Sequence, residues 1–353
     1  MGISYGDRLV WMSDRDLGAA LDDAVEVGAR WVRADLLWTN VQPDGPDTYR
    51  WEGFDRVVTA VAERGLTLLP VLGFTPAWAR PADCTSKHCR PADPVDFAAF
   101  AGAAATRYAP RGVHTWEVWN EPNLTRSWAP APDVGAYTEL LKETSQALWL
   151  SDPASYVILG GLAATSTKDG DISQTAFLQG VSARGGNRVV DAVGYHPYTY
   201  PFLASSVTQW RTPWERIEGT RDSLRSVLVA NGTPDMPVWI TEFGAPTNGP
   251  GTSSDGRPGT VGEETTHVPE ERQAQIAADV VRTAAATPHV AALIWYTDRD
   301  LGTDTGDSEN FFGLRRADGS AKPALGALRD AVADLSRRSV WGAVTGRGPG
   351  SGR

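Results

Sequence analysis

Two glutamates occupy positions where catalysis is expected, each at the end of a strand-like run of residues. Glu121 follows Trp116–Asn120, in which Trp and Val suit a buried strand, and the Asn and Pro residues around Glu121 end it. Glu242 ends the run Met236–Thr241 in the same manner. Two carboxyl groups, one protonated and one ionised, can cleave a glycosidic bond, because the acid protonates the leaving oxygen while the carboxylate attacks or stabilises the anomeric carbon. The pair therefore predicts glycoside hydrolysis.

The neighbours of the two carboxyl groups predict different roles for them. Two tryptophans and a proline surround Glu121, and a partly apolar setting raises the pKa of a carboxyl group, which favours the acid. Glu242 is predicted to lie near Arg33 and Tyr198, whose guanidinium and phenol donors would keep it ionised and hold it in place. Glu121 is therefore the predicted acid, and Glu242 the predicted carboxylate.

Polar and aromatic residues at other strand ends are candidates for holding the sugar. Asn120 has an amide that can bind a sugar hydroxyl, a contact that contributes roughly several kcal/mol when it strengthens in the transition state. His196 and Tyr198 follow the sixth strand-like run, and Trp295, near the end of the eighth, would form the floor of the sugar site. We predict that these residues, with Arg33, bind the substrate.

Each candidate also has a purely structural interpretation. A single Glu at a strand end is more often a solvated loop residue, and His196 would then be a hydrogen-bonded core histidine in a turn. For Arg33 the structural alternative is an ion pair with Asp35. Glu117 alternates onto the face of Glu121, and we expect it to support the site rather than to react. The other histidines are predicted in loops or at the surface: His88, His114, His267 and His289.

Eight strand-like runs, each followed by a helical pattern, would position these residues. The strands are predicted at 2–5, 31–38, 66–73, 116–120, 156–162, 189–196, 236–243 and 291–297. This alternation predicts an α/β protein with a closed (β/α)8 TIM barrel, in which the C-terminal ends of the strands carry the active site. An open doubly wound sheet is the alternative, and the absence of a glycine-rich phosphate-binding turn after the first strand argues against it.

The barrel is predicted to form a single domain. We place this catalytic domain at residues 1–341, without a separate β-sandwich domain, and a disordered Gly/Arg/Ser-rich tail at 342–353. Helices are predicted over 214–229 and 322–335. A Gly/Pro/Ser/Thr-rich loop at 244–267 is expected to be mobile and is a candidate lid.

Composition excludes several classes of partner. The formal charge of −10 argues against binding to nucleic acid or an anionic membrane, since both require a basic face. Without a run of ~18 apolar residues, no membrane span is predicted. The chain has 14 tryptophans, whose flat faces fill cores and also stack on sugar rings. The acidic loop 298–307 lacks the spacing of a calcium loop, so no metal or cofactor is predicted.

Cys84 and Cys89 lie close together in a Pro-rich loop. Their spacing favours a small disulfide, while two free thiols or a metal site with His88 remain alternatives that fit zinc spacing less well. A disulfide implies an oxidising compartment, so we expect a secreted or cell-envelope protein whose signal peptide was removed. A cytoplasmic location is the alternative, because Met1 leads directly into a strand-like segment.

The runs Trp119–Asn123 and Trp239–Gly244 resemble the two catalytic signatures of clan A glycoside hydrolases. The resemblance implies a (β/α)8 barrel with Glu121 as acid/base and Glu242 as nucleophile of a retaining double displacement. It also implies that Tyr198 orients the nucleophile. The match to the active-site set of family 5 lacks one member, a His after strand three, and otherwise comprises Arg33, Asn120, Glu121, His196, Tyr198, Glu242 and Trp295.

Other parts of the chain resemble glycoside hydrolase family 39 more closely, which leaves family 5 as the second choice. These are the run Thr75–Trp78, Trp38 with the following Val41–Pro43, and Tyr49–Trp51. The resemblance implies that Trp38, Trp78 and Trp295 line the sugar site. We therefore expect a cofactor-free retaining glycosidase, preferably monomeric, that acts on an oligo- or polysaccharide. The alternatives are a transglycosidase with the same two glutamates and a non-catalytic glycan-binding barrel.

Overall fold

The computed structural model describes residues 1–345, and the side chains of residues 1–337. The strands are β1 (Gly2–Ser4), β2 (Trp31–Leu37), β3 (Thr67–Gly73), β4 (Thr115–Asn120), β5 (Tyr156–Ala163), β6 (Ala192–His196), β7 (Val238–Phe243), β8 (Thr252–Ser253), β9 (Thr265–His267) and β10 (Val290–Tyr296). The helices are α1 (Asp14–Glu26), α2 (Trp38–Val41), α3 (Glu52–Glu63), α4 (Pro94–Tyr108), α5 (Val134–Ser151), α6 (Gln174–Ala183), α7 (Leu224–Ala230), α8 (Glu270–Ala286) and α9 (Pro323–Thr345).

Eight of the strands form a closed parallel barrel with the helices around it. The order around the barrel is β1, β10, β7, β6, β5, β4, β3 and β2, and β1 closes it by pairing with both β10 and β2. The fold is therefore the predicted (β/α)8 TIM barrel. None of the helices over residues 1–345 is long and apolar enough to cross a membrane.

Alternation along the strands divides the apolar side chains between two cores. A small cluster fills the barrel interior and comprises Leu69, Ile158, Ala192, Trp239, Ala292 and Ile294. Neighbouring strand residues point outward and pack with the helices in a much larger cluster, so Ile294 faces inward and Trp295 faces outward. Within β2 and β4, further along the barrel axis, the inward series continues with the buried Arg33 and Glu117. The barrel thus directs polar groups towards one end of its axis.

The predicted barrel strands are all present, whereas the helix predicted over 214–229 is wrong as a single element. Trp214–Arg216 forms one 3₁₀ turn, and α7 begins only at Leu224. Asp222 has a φ of 46°, and Ser223 caps α7 in a capping box with Ser226. This cap starts a new helix, because its side chain satisfies the first free backbone N–H groups.

Two further boundaries differ from the sequence-based expectations. Helix α9 extends to Thr345, well beyond the predicted end at 335, so 342–345 are helical rather than part of a disordered tail. The segment 336–345 has one Gly and no Pro, which allows the helix to continue. The rest of the predicted tail, 346–353, lies outside the described residues. The loop 244–267 contains the two-stranded parallel sheet β8–β9.

Candidate active site

A cavity of about 690 Å³ opens at the C-terminal end of the barrel. Both predicted catalytic residues, Glu121 and Glu242, line it, and so do Asn120, His196 and Tyr198. Within the described chain, no residue of the loop 244–267 lines this cavity, so the structure offers no support for its proposed role as a lid. The barrel therefore brings together five of the predicted site residues from β4, β6 and β7.

The end of β4 leaves regular strand geometry, and this change turns two polar side chains into the cavity. Trp119 has a φ of 73° and Glu121 a φ of 49°, values in the left-handed region that cost an L-residue roughly 1–2 kcal/mol. Trp119 packs in the outer core, and its indole N–H donates to the carbonyl of Ser127 over 2.8 Å. Asn120 and Glu121 can then both line the cavity, as strict alternation would not allow.

The two glutamates approach each other closely across the cavity. A carboxylate oxygen of Glu121 and one of Glu242 lie within 4.8 Å of each other. Tyr198 donates its hydroxyl to Oε2 of Glu242 over 2.9 Å, and burial, followed by the Glu242 charge, raises the pKa of Tyr198 well above its usual range. The phenol therefore remains a hydrogen-bond donor to Glu242 throughout the physiological pH range.

Arg33 lies behind the cavity wall and uses its donors on protein groups. Its Nε donates to Oε2 of Glu117 over 2.7 Å, and both side chains are fully buried. Its Nη1 donates to Oε1 of Glu242 over 2.5 Å, and its Nη2 to Oδ1 of Asn120 over 2.8 Å. Arg33 thus holds other site residues, which corrects the prediction that it binds substrate, and its buried ion-pair partner is Glu117 rather than Asp35.

His196 is positioned by two hydrogen bonds and by a glycine beneath its ring. Its Nδ1 lies 3.1 Å from Oε1 of Glu121, and its Nε2 lies 3.0 Å from Oγ1 of Thr241. A Cβ atom at Gly161, on β5, would lie 2.0 Å from Nε2 of His196. Only glycine fits at this position, so the Gly160–Gly161 pair of β5 is a part of the site that sequence reasoning missed.

The setting of Glu121 differs from the predicted apolar one. Arg126, from the loop after β4, donates to Oε2 of Glu121 over 2.8 Å, while His196 contacts the other oxygen. Burial opposes ionisation, but the contacts with His196 and Arg126 outweigh it and lower the pKa of Glu121 to about 2. The expectation of a raised pKa is therefore wrong, because the loop after β4 folds back and brings a guanidinium to the carboxylate.

Three predicted sugar-binding tryptophans do not line the cavity. Trp38 is fully buried, and Gln42 accepts the indole N–H groups of both Trp38 and Trp78. These two rings pack edge to face with centroids 5.3 Å apart. Trp295 faces the helices because β10 directs Ile294 and Tyr296, two residues apart, towards the barrel interior. Tyr296 lines the cavity in its place, an outcome that alternation along β10 would have predicted.

Further cavity residues were missed or assigned other roles from the sequence. Asp35 lines the cavity, and burial raises its pKa to about 7 although the Arg33 charge lowers it. Its position two residues after Arg33, on the same face of β2, could have indicated that it belongs to the site. Glu309, in the segment after β10, also lines the cavity, and burial, followed by the Glu242 charge, raises its pKa to about 7. Arg126 and His88 also line the cavity, and nothing in their local sequence indicated it.

Glu121, His196 and Glu242 form a cluster whose ligand atoms could in principle hold a metal ion. Their oxygens and nitrogens already contact donors from Arg126, Arg33 and other residues. Two guanidinium groups beside the cluster repel a cation, so the geometry suits a carboxylate pair better than a metal.

Comparison with known proteins relates this geometry to carbohydrate-active enzymes. The family model described as cellulase (glycosyl hydrolase family 5) matches residues 2–291. A β-xylosidase from Geobacillus stearothermophilus is 27% identical over 245 residues, which cover 62% of this chain. The aligned part is 47% of that enzyme, so the chain spans about half the length of this curated relative.

Solved structures show the same fold. A family 39 glycoside hydrolase from Bacteroides cellulosilyticus is similar with a TM-score of 0.71 and 25% identity, covering 95% of this chain and 63% of the other. A GH5_18 protein from Streptomyces cattleya, solved in complex with GlcNAc, has a TM-score of 0.66 and 21% identity, covering 95% and 80%. At 21% identity, the second likeness concerns the fold alone.

Proposed function

The chain belongs to the cellulase family, glycosyl hydrolase family 5, and we propose that it is a retaining glycosidase acting on an oligo- or polysaccharide. Glu242 is the nucleophile in this proposal, and Glu121 is the acid/base. The chain is a clan A (β/α)8 glycoside hydrolase, and its structure is also similar to that of a family 39 enzyme. The sugar is held in the cavity at the C-terminal end of the barrel.

The distance between the two carboxylates carries the proposal. One oxygen of Glu121 and one oxygen of Glu242 lie within 4.8 Å of each other. Retaining enzymes place their carboxyl groups about 5–5.5 Å apart, whereas inverting enzymes leave about 6.5–9.5 Å so that a water molecule fits between carboxylate and sugar. The short distance supports direct attack by Glu242 on the anomeric carbon.

In the first step, the carboxylate of Glu242 attacks the anomeric carbon as the bond to the leaving oxygen breaks. Glu121 gives its proton to that oxygen, and the sugar becomes an ester of Glu242. Tyr198 and Arg33 each donate to an oxygen of Glu242, so they fix its direction of attack. They also stabilise the carboxylate that is set free when the ester is cleaved.

In the second step, the ionised Glu121 takes a proton from water while the water oxygen attacks the anomeric carbon. The ester bond breaks, Glu242 becomes a carboxylate again, and Glu121 regains its proton. Asn120 supports both steps in this proposal, because its Oδ1 accepts from Arg33 and its NH2 group is left to bind the sugar 2-hydroxyl.

The same structure supports proposals on conditions and assembly. Cys84 and Cys89 form a disulfide with Cα atoms 6.1 Å apart, which is ordinary disulfide geometry. We propose on this ground that the protein works in an oxidising compartment, outside the cytoplasm. We also propose that it acts as a monomer without a cofactor, since one chain contributes both glutamates and the groups that hold them.

The test is turnover of activated aryl glycosides and natural polysaccharides by wild type and two variants. Glu242→Ala is expected to lose activity by a factor on the order of 10⁴, because no ester can form. Glu121→Ala should keep much of its activity on good leaving groups and lose most of it on poor ones. Azide should restore the rate of Glu121→Ala, and an unaffected Glu242→Ala would refute the mechanism.

Product analysis separates the remaining outcomes. Retention means that the first product has the anomeric configuration of the substrate, as proton NMR during turnover can show. Release of the free sugar with and without an added acceptor indicates a hydrolase, whereas transfer to the acceptor indicates a transglycosidase. Binding of a polysaccharide without any turnover would favour the non-catalytic alternative.

A further inference from the structure

The disulfide-closed loop between Cys84 and Cys89 delivers a histidine to the cavity. His88 lines the cavity beside Phe74, the residue after β3, and the two rings lie with centroids 4.3 Å apart. The side chain of Phe74 is apolar, so this side of the cavity has no polar group from β3 itself. His88 provides one from a loop that the sequence had indicated only as a surface segment.

The polar capacity of this imidazole is unused by the protein. Over residues 1–337, where side chains are described, neither ring nitrogen of His88 has a hydrogen-bond partner, and Nδ1 is shielded from solvent. Burial, followed by the charge of Lys87, lowers the pKa of His88. The ring is therefore neutral at pH 7 and offers one N–H donor and one acceptor.

The loop is tied to the barrel on both sides of His88. The backbone N–H of Thr75 donates to the carbonyl of Lys87 over 2.9 Å, and its hydroxyl donates to the carbonyl of Cys89 over 2.6 Å. The carbonyl of His88 accepts from the backbone N–H of Ala129, in the loop after β4. The disulfide closes this loop, so the imidazole is held against the cavity by covalent and hydrogen-bonded restraints together.

We propose that His88 determines specificity by hydrogen-bonding a sugar hydroxyl in the cavity, and that the Cys84–Cys89 disulfide positions it for this contact. The proposal rests on the proposed glycosidase function and names a recognition residue within it. Since Nδ1 is shielded, Nε2 is the nitrogen that meets the hydroxyl. A neutral group with unused polar capacity favours a neutral hydroxyl over an anionic substituent.

Two variants separate the polar contact from the shape of the ring. His88→Phe keeps an aromatic ring against Phe74 but removes both nitrogens, whereas His88→Gln keeps a polar group at about the reach of Nε2. The probe is the best substrate among the 4-nitrophenyl β-xyloside, β-glucoside and β-mannoside, together with its monodeoxy analogues. His88→Phe should lower kcat/KM about five- to tenfold, mainly through KM, and His88→Gln should recover part of this loss.

The deoxy analogues identify the contact itself. Wild type should discriminate against one particular deoxy analogue, and His88→Phe should lose this discrimination while it keeps the others. A structural role for His88 would reduce kcat/KM for all analogues equally, and this result would overturn the proposal. Unchanged kinetics in His88→Phe would overturn it too, with thermal unfolding confirming that each variant is folded.

A double-mutant cycle tests the role of the disulfide. Cys84→Ser with Cys89→Ser should raise KM in the wild-type background but add nothing in the His88→Phe background, because the contact is already lost. An equal effect in both backgrounds would show that the disulfide acts independently of His88. Turnover that requires Glu242 but ignores His88 refutes this inference alone, whereas no turnover on any probe refutes the proposed function and this role with it.

Discussion

Nδ1 of His196 lies 3.1 Å from Oε1 of Glu121, and the hydrogen bonds behind the ring determine which protons this pair holds. Oε1 of Glu117 can only accept, so the hydroxyl of Thr241 donates to it over 3.1 Å. Oγ1 of Thr241 must then accept from Nε2 of His196. If Nδ1 of His196 carried no proton and Glu121 were ionised, two hydrogen-bond acceptors would face each other without a donor. Glu121 and His196 together therefore hold one further proton.

This shared proton is the one that acid catalysis requires. It lies between the two side chains: either Glu121 holds it and donates to Nδ1 of His196, or Nδ1 holds it and donates to Oε1 of Glu121. In either case it is available at the oxygen of Glu121 when the leaving group departs. The hydrogen bonds from Glu117 through Thr241 to His196 thus support the acid/base role that we propose for Glu121.

Removal of the Thr241 hydroxyl should impair proton transfer selectively. In Thr241→Val, Nε2 of His196 loses its acceptor and the ring no longer prefers the proton at Nε2. We expect kcat/KM to fall about tenfold for aryl glycosides with poor leaving groups and little for activated ones, measured over a leaving-group series. Thr144→Val is the matched control, since Thr144 is also buried and its hydroxyl has no hydrogen-bond partner among the side chains and backbone of residues 1–337. Equal losses of kcat/KM for all leaving groups would contradict a role of the Thr241 hydroxyl in proton transfer.

Removal of Arg126 should shift the pH profile to higher pH. The guanidinium lowers the pKa of Glu121, so Arg126→Met raises that pKa and the pair of Glu121 and His196 keeps its shared proton to higher pH. The basic limb of kcat/KM should move up by about half a pH unit, a modest shift because the Arg126 side chain is 67% exposed. Arg257→Met serves as control, because Arg257 pairs with Asp255 at the surface. A limb that stays in place or moves down would show that Arg126 does not act on Glu121.

The buried pair of Arg33 and Glu117 should matter for stability. Glu117→Gln leaves the Arg33 charge buried with Glu242 as its remaining partner, and we expect the free energy of unfolding in urea to fall by about 3 kcal/mol. Replacing both residues, as in Arg33→Met with Glu117→Gln, should recover part of this loss but not activity, because Glu242 also loses its donor. In contrast, Glu139→Gln in the exposed pair with Lys142 should change stability by less than about 1 kcal/mol.

Adjacent residues on β10 should respond in opposite ways to substitution. Tyr296→Phe removes a hydroxyl that faces the cavity and has no hydrogen-bond partner over residues 1–337, so KM should rise about fivefold with little loss of stability. Trp295→Phe should leave KM unchanged and lower the free energy of unfolding by about 1–3 kcal/mol through the space it creates. Steady-state kinetics and thermal unfolding of both variants measure this contrast, and a KM effect confined to Trp295→Phe would contradict the assigned orientations.

The barrel and the clan were predictable because their signals are local. A strand-like apolar run followed by a helical pattern recurs eight times along the chain, and the sequences around Glu121 and Glu242 are short motifs at strand ends. The disulfide between Cys84 and Cys89 was predictable for the same reason, since its two cysteines lie close together in one loop. Family 5 provided the matching family model, and family 39 is represented among similar structures.

The orientation of side chains within the site was harder to predict from the sequence, because it depends on which face of a strand each residue occupies. The prediction for Trp295 assigned it to the wrong face of β10, because alternation along this strand directs the next residue, Tyr296, into the cavity. At the end of β4, the positive φ angles of Trp119 and Glu121 break alternation, so no periodic rule would have placed Asn120 and Glu121 together.

By itself, the sequence determined the alternation of strands and helices, the two glutamates at strand ends and the closed loop of the cysteines. Only the tertiary structure decided how the charges of the site are paired, because Arg33 and Glu117 are 84 residues apart and Arg126 reaches Glu121 through an irregular loop. Long-range electrostatics act through space, and the chain order does not contain the distances on which they depend. For this reason the contacts of Glu121 and the position of His88 in the cavity could be read only from the folded barrel.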